Sequence, residues 1–229
     1  MADSSKLRSI ALHIVTPLIV AAISCGILLI AMIKPYDKAK VYLNIAFMDD
    51  LKTNPENINS GLIIRDNEIV EEYTGTTSET GEIIRPQYGE MYANIRCSRM
   101  SLDIPVYWGS DIELYERGAC QSTGSVVVGD VGNSVISAHE DTFFSELSSL
   151  QVGDEVIIKT NYGEFTYKVR ELISFKRDNN KYVVPTEDTR LTLYTCKKNV
   201  LGSSDERIGV ICEPTGKKFY IPAGEEAAK

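Results

Sequence analysis

Histidines, paired cysteines and clusters of basic residues are scarce in this sequence. Its 229 residues include two histidines, one tryptophan and five cysteines. No two cysteines have the C-x-x-C spacing typical of a structural zinc site. The net charge is −8, and no basic run alternates with aromatic residues, so nucleic-acid binding is not expected. We therefore predict neither a metal centre nor a cofactor.

Formal charge is also absent from residues 10–33. A helix of that length rises about 36 Å, which is enough to cross a bilayer with some tilt. A cleaved signal peptide has a shorter apolar region that ends in small residues, whereas this run continues past Gly26. We predict a short tail at residues 1–9 and an uncleaved transmembrane anchor helix at residues 10–33. Basic residues flank both ends, so charge does not decide its orientation.

The rest of the chain is divided by its composition. Residues 34–88 contain many polar and turn-forming residues and are predicted to be a linker or N-terminal appendage. From residue 89 onward, apolar and β-branched runs recur between turn signals, at 90–97, 104–108, 125–129, 134–138, 155–160, 164–172, 191–195 and 208–213. Residues 143–150 are the best candidate for a short helix. About eight strands with almost no long helix predict an all-β domain over residues 89–229, a closed barrel or a sandwich.

Three residues of different chemistry stand at the ends of predicted strands. Cys196 ends one run, and His139, the only histidine after residue 13, ends another. Arg207 opens a third run, shortly after the polar loop that follows Cys196. Each alone has an ordinary interpretation: a small buried side chain, a surface imidazole or a solvated ion-pair partner. Together, a nucleophile, a base and a cation at one rim are what acyl transfer through a thioester requires.

The runs around these residues resemble motifs of the sortase family, the cysteine transpeptidases of Gram-positive bacterial surfaces. The main matches are Leu191–Cys196, which fits the family pattern TLxTC, Gly132–His139 and Arg207; further matches are Leu102–Gly109, Glu116–Ala119, Asp141–Phe144 and Leu150–Asp154. Together they cover about residues 88 to 214. The layout is most similar to class D. Many relatives have glycine before the histidine and arginine after it, where this chain has Ala138 and Glu140.

The resemblance implies a closed sortase-type β-barrel and a role for each site residue. Cys196 would be the nucleophile, His139 the general acid and then base, and Arg207 the group that supports the oxyanion. Thr195 is a candidate for substrate binding. The implied substrate is an LPxTG-like sorting signal near the C-terminus of a secreted protein, cut between threonine and glycine. The acyl group would pass to an amine of a cell-wall precursor or to a pilin lysine, outside a membrane crossed once by the anchor.

Other interpretations stay open at this stage. A cysteine protease would use the same three residues but release a free acid, and a non-catalytic β-barrel would bind peptides or wall polymer. An extracellular location would permit a disulfide between Cys97 and Cys120, although both are equally compatible with simple burial, and Cys212 is expected in the core. A calcium site like that of some sortases has acidic candidates, but a solvated face is the preferred interpretation; they are Asp111, Glu113 and Glu116.

Overall fold

The computed structural model describes residues 15–28, 62–69, 72–197 and 204–221. The chain forms two compact units, Met1–Tyr42 and Leu43–Lys229. In the first unit, residues 15–28 are helical and mostly exposed. Within the described residues, no helix combines the length and the apolar character needed to cross a membrane. Of the predicted anchor at 10–33, residues 10–14 and 29–33 lie outside the described residues, as does the tail at 1–9.

The second unit is built on a sheet whose strands close on themselves. In chain order the strands are β1 Arg65–Asp66, β2 Thr77–Ser78, β3 Glu90–Cys97, β4 Met100–Trp108, β5 Ala119–Gln121, β6 Asn133–Ser137, β7 Glu155–Thr160, β8 Gly163–Lys176, β9 Arg190–Cys196 and β10 Glu206–Tyr220. Their order is β3-β4-β5-β6-β9-β10-β8-β7, and pairing of β7 with β3 completes the ring. The predicted all-β barrel of about eight strands is confirmed, and its closure pairs the strand edges that a flat sheet would expose.

Three of the predicted runs differ from the structure in an informative way. Residues 125–129 form a loop that ends in a turn instead of a strand, and the buried Val127 and Val128 anchor this loop against the barrel. The strand β5 lies just before this loop in the chain, and the sequence pattern did not predict it. The strands β8 and β10 extend well beyond the predicted runs, and shifts in their register bend this long pair around the barrel.

The described part of the segment 34–88 packs on the barrel. Strand β1 runs parallel to β3, and β2 runs antiparallel to β10. The Asp66 carboxylate accepts hydrogen bonds from the Tyr107 hydroxyl at 2.7 Å and from the Arg117 guanidinium at 3.1 Å. Its side chain is only 8% exposed, so these bonds connect β1 to two parts of the barrel where water screens little. Residues 34–61, 70 and 71 lie outside the described residues.

Short helices occupy two connections of the barrel. An α-helical turn spans Ile112–Tyr115, and a 3₁₀ turn spans Leu147–Ser149, inside the predicted region 143–150. The α-helical turn buries Leu114 and leaves Tyr115 partly exposed at the rim. This turn therefore brings an aromatic ring next to the end of β6.

The possible bridge between Cys97 and Cys120 is wrong. Cys97 lies opposite Met100, and Cys120 lies beside Tyr107, seven residues further along the same strand β4. At about 3.3 Å per residue this separates the two cysteines by roughly 23 Å, far beyond the reach of a disulfide. All five cysteines are free, and Cys212 is fully buried in the core as expected.

Candidate active site

The strand pairing places Cys196 directly opposite Arg207. Strands β9 and β10 are antiparallel, with Arg207 paired to Cys196 at the end of the ladder. Opposing residues in such a pair have Cβ atoms about 4.5–5.5 Å apart. The Arg207 guanidinium donates through Nη1 to the carbonyl of Ser204 at 2.8 Å and to that of Glu206 at 3.3 Å. The backbone therefore holds the Nη1 nitrogen, while the other nitrogens of the guanidinium have N–H groups that can bind a ligand.

His139 reaches the same rim because β6 runs parallel to β9. The last pair of the ladder is Ser137 with Tyr194. The residues that follow, Ala138 and Thr195, are joined by a side-chain hydrogen bond, in which the Thr195 hydroxyl donates to the Ala138 carbonyl at 2.7 Å. Thr195 is 2% exposed and Ala138 is buried. His139 and Cys196 are the next residues along the two chains, directly after the pair that this hydrogen bond joins. The three predicted strand-end residues are thus brought to one end of neighbouring strands.

Tyr115 contacts the imidazole from the helical turn. The two ring centroids are 5.4 Å apart with the planes tilted by 51°. The Tyr115 hydroxyl shares a 2.8 Å hydrogen bond with the hydroxyl of Ser137 on β6. Burial raises the pKa of Tyr115 to about 12, so the phenol stays protonated at neutral pH. His139 is itself exposed, and Tyr115 therefore supports one side of an otherwise accessible ring.

An apolar patch lies on the same side of the sheet as the thiol. Side chains alternate along β9, so Tyr194 shares a face with Cys196, while Leu193 and Thr195 point to the other face. The patch is defined by Ile173, Phe175, Ile211, Tyr182, Val183 and Tyr194, of which the last three are partly exposed. The Phe175 ring lies 5.7 Å from that of Tyr194 and 5.5 Å from that of Tyr182. A partly open aromatic surface therefore begins two residues from Cys196.

Asn133 fixes the chain segment that covers this patch. Its side-chain amide donates to the carbonyls of Tyr182 and Val184, both at 3.0 Å, and its carbonyl accepts from the Thr192 hydroxyl at 2.8 Å. Asn133 is 1% exposed and Thr192 is fully buried. One buried amide therefore joins β6, β9 and the connection between β8 and β9.

The surroundings of Cys196 act on its thiol in opposite directions. Partial burial is the largest effect and raises the pKa of the thiol. The positive charge of Arg207 lowers this pKa, and so, more weakly, does that of Arg177. The Glu140 carboxylate raises it, both by its charge and as a hydrogen-bond acceptor for the protonated thiol. The net pKa lies above its usual value, so the resting thiol is mainly protonated at neutral pH.

The site contains residues that the sequence pattern did not assign to it. Tyr115 stands directly before a matched motif, and Arg177 directly follows the long strand β8, but neither position carries a signal of its own. The only sequence signal at Glu140 is its difference from the arginine that many relatives have there. Of the acidic residues considered for calcium, Asp111 accepts a hydrogen bond from Tyr88. Among the described residues, no cluster of three acidic, histidine or cysteine side chains is arranged to hold a metal ion.

Comparison with known proteins places this geometry in context. The model of the sortase domain matches residues 95–215, which is more than half of the chain. Sortase D of Bacillus subtilis (strain 168) is 28% identical over 132 residues, covering 55% of this chain and 67% of that protein. The matched region contains all three strand-end residues.

Solved structures show a similar barrel. The SrtA sortase from Actinomyces oris has a TM-score of 0.56 and 22% identity, covering 67% of this chain and 98% of that one. The sortase D5 transpeptidase from Clostridium perfringens has a TM-score of 0.52 and 22% identity, covering 58% and 83%. Sortase A from Listeria monocytogenes has a TM-score of 0.53 and 20% identity, covering 58% and 92%. At these identities the likeness establishes the fold alone.

Proposed function

Because this chain belongs to the sortase family and is a sortase-type cysteine transpeptidase, we propose that it cuts an LPxTG-like sorting signal between threonine and glycine. The acyl group then passes to an amine of a cell-wall precursor or of a pilin lysine. The single observation that supports this best is the pairing of Cys196 with Arg207 beside the end of the strand that precedes His139. Nucleophile, proton carrier and cation thus lie at one rim.

The first half of the reaction follows from these positions. The Cys196 thiolate attacks the threonine carbonyl carbon, and the C–S bond forms as the carbonyl oxygen gains charge. The guanidinium of Arg207 stabilises that oxygen, because it stays positively charged at any relevant pH. The peptide C–N bond then breaks, and the His139 imidazolium protonates the departing glycine amine. A thioester on Cys196 remains.

The second half reverses the proton flow. The incoming amine attacks the thioester carbonyl, a new C–N bond forms and the C–S bond breaks. The amine proton passes to His139, which restores the imidazolium beside the released thiolate. Water attacking instead would release a free acid, which is the protease alternative. The Thr195 hydroxyl already donates to Ala138, so its proposed part in substrate binding is best carried by its backbone.

The apolar patch is our proposed binding site for the leucine and proline of the signal. Burying such side chains against Tyr182, Val183 and Tyr194 is favourable by about 25 cal/mol per Å² of apolar surface removed from water. The patch begins two residues from Cys196 on the same face, which suits residues that precede the cleaved bond. The single-pass membrane location stays a prediction that rests on the sequence.

The test uses the full chain, a labelled LPxTG peptide and an excess of a primary amine. We expect mass spectrometry to detect a thioester adduct on the wild type and then an amide product. Cys196→Ala should lose all turnover, whereas Cys212→Ala should keep the catalytic steps because that thiol is fully buried. Exclusive formation of free acid at saturating amine would favour the protease, and unchanged activity of Cys196→Ala would defeat both enzymatic interpretations.

A further inference from the structure

Glu140 has an unusual environment directly beside the catalytic rim. It follows His139 in the chain and lies near enough to Cys196 to act on the thiol through its charge and its oxygens. Its Oε2 atom is buried and has no hydrogen-bond partner among the described residues. A buried carboxylate oxygen without a donor is costly, and native structures rarely keep one without a reason.

The proposed reaction changes what this carboxylate faces. In the resting enzyme the Glu140 carboxylate lies close enough to the Cys196 thiol to raise its pKa, while the buried Oε2 atom has no donor. Once the thioester forms, the sulfur carries no proton and cannot become a donor to this carboxylate. The next molecule to reach the site is the acceptor, a primary amine that exists in water as an ammonium ion with three N–H donors and a positive charge. The acyl-enzyme therefore presents an unpaired negative group at the moment when a cationic donor is required.

We propose that the Glu140 carboxylate binds the incoming ammonium group and so selects cationic amines as acceptors for the thioester on Cys196. This inference rests on the proposed function, since it concerns the second half of that reaction. Glu140 holds the nitrogen beside the thioester carbonyl, and the ammonium gives one proton to His139. The neutral amine then attacks, and the second proton that the nitrogen loses passes to the departing sulfur of Cys196, which leaves as the thiol. Charge-assisted hydrogen bonds of this kind are short and about twice as strong as neutral ones.

The experiment compares two nucleophiles that differ in charge. A primary alkylamine is cationic at neutral pH, whereas hydroxylamine is neutral there and also attacks thioesters. Product formation is measured against the concentration of each, using the full chain and the LPxTG peptide. We expect Glu140→Gln to raise the KM for the alkylamine about tenfold, the loss of one hydrogen bond to a charged group, and to leave the KM for hydroxylamine unchanged.

Two further variants separate this role from a general effect of charge. Asp141→Asn removes the same charge one residue away on an exposed side chain and should behave like wild type with both nucleophiles. Glu140→Asp keeps the charge and should recover part of the alkylamine affinity. An equal change for both nucleophiles in Glu140→Gln, or no change for either, overturns the inference. Failure of wild type to transfer to any nucleophile overturns the proposed function itself, and the inference with it.

Discussion

Replacing Thr195 by valine should damage catalysis far more than it damages the fold. Valine keeps the shape of the side chain and removes the hydroxyl that donates to Ala138 at 2.7 Å. The site is buried, so the Ala138 carbonyl loses a donor that water does not readily replace. A loss of this kind costs about 1–3 kcal/mol, which lowers the melting temperature by about 2–4 °C per kcal/mol in a chain of this size. The protein should therefore remain folded at 25 °C.

The expected effect on the reaction is larger, because the same bond holds the residue next to His139 against the strand of Cys196. A displacement of about 1 Å between reacting groups costs up to about 10²-fold in rate. We expect kcat/KM for thioester formation to fall by at least about tenfold in Thr195→Val and to recover in Thr195→Ser, which keeps the hydroxyl.

The chain offers a matched control on the same strand. Thr192 is also buried on β9 and also donates its hydroxyl to a residue of β6, Asn133, at 2.8 Å. Thr192→Val should lose a similar amount of stability, followed by fluorescence of the single tryptophan during urea unfolding. It should keep the kcat of thioester formation, and any change should be confined to KM, because its bond supports Asn133 and the apolar patch and not the residue next to His139. If both valine variants lose activity in proportion to their stability, the Thr195 bond has no special part in placing His139.

Two further predictions concern the thiol and the buried amide. Glu140→Gln removes a group that raises the pKa of Cys196, so the thiolate fraction at neutral pH should increase. Iodoacetamide should therefore alkylate Cys196 faster at neutral pH, and the plot of alkylation rate against pH should have its midpoint at lower pH. Arg207→Gln removes a group that lowers this pKa and should shift the midpoint to higher pH; equal midpoints in the two variants would contradict the assigned charges. Asn133→Asp places a carboxylate oxygen against the carbonyls of Tyr182 and Val184, and should cost at least about 3 kcal/mol in urea unfolding, whereas an exposed Asn161→Asp should cost almost nothing.

Many strands of the barrel could be predicted because residue composition and the positions of turn-forming residues indicate the same strand boundaries. The strands β3 and β7 occupy the predicted residues, since their runs of apolar and β-branched residues are bounded by turns, and β7 buries alternate side chains. The run 125–129 has the same composition but no partner, and it forms a loop. Strand β5 is only three residues long, so no periodic pattern could reveal it. Composition reports what a segment prefers, while pairing decides whether a strand forms.

The residues of the candidate site could be predicted from the sequence, but the side chains that surround them could not. The distance along the chain from Cys196 to Arg207 suits two adjacent antiparallel strands, and this pairing is confirmed. The parallel pairing of β6 with β9 joins segments more than fifty residues apart, and no pattern in the sequence predicted it. Tyr115 and Glu140 act through contacts that depend on the closed barrel. No spacing of residues in the sequence predicts such contacts.

The three site residues also differ in how many contacts fix their positions, and this difference affects the first proton transfer of the proposed reaction. Cys196 and Arg207 are fixed by a ladder pair, and the guanidinium is further held by backbone carbonyls. His139 follows the end of β6, and its exposed ring is supported on one side by Tyr115. In the proposed reaction, we expect a bound peptide that covers the rim to remove water from the ring and strengthen its interaction with the thiolate. We therefore expect proton transfer between Cys196 and His139 to depend on substrate binding more strongly than the placement of the oxyanion by Arg207 does.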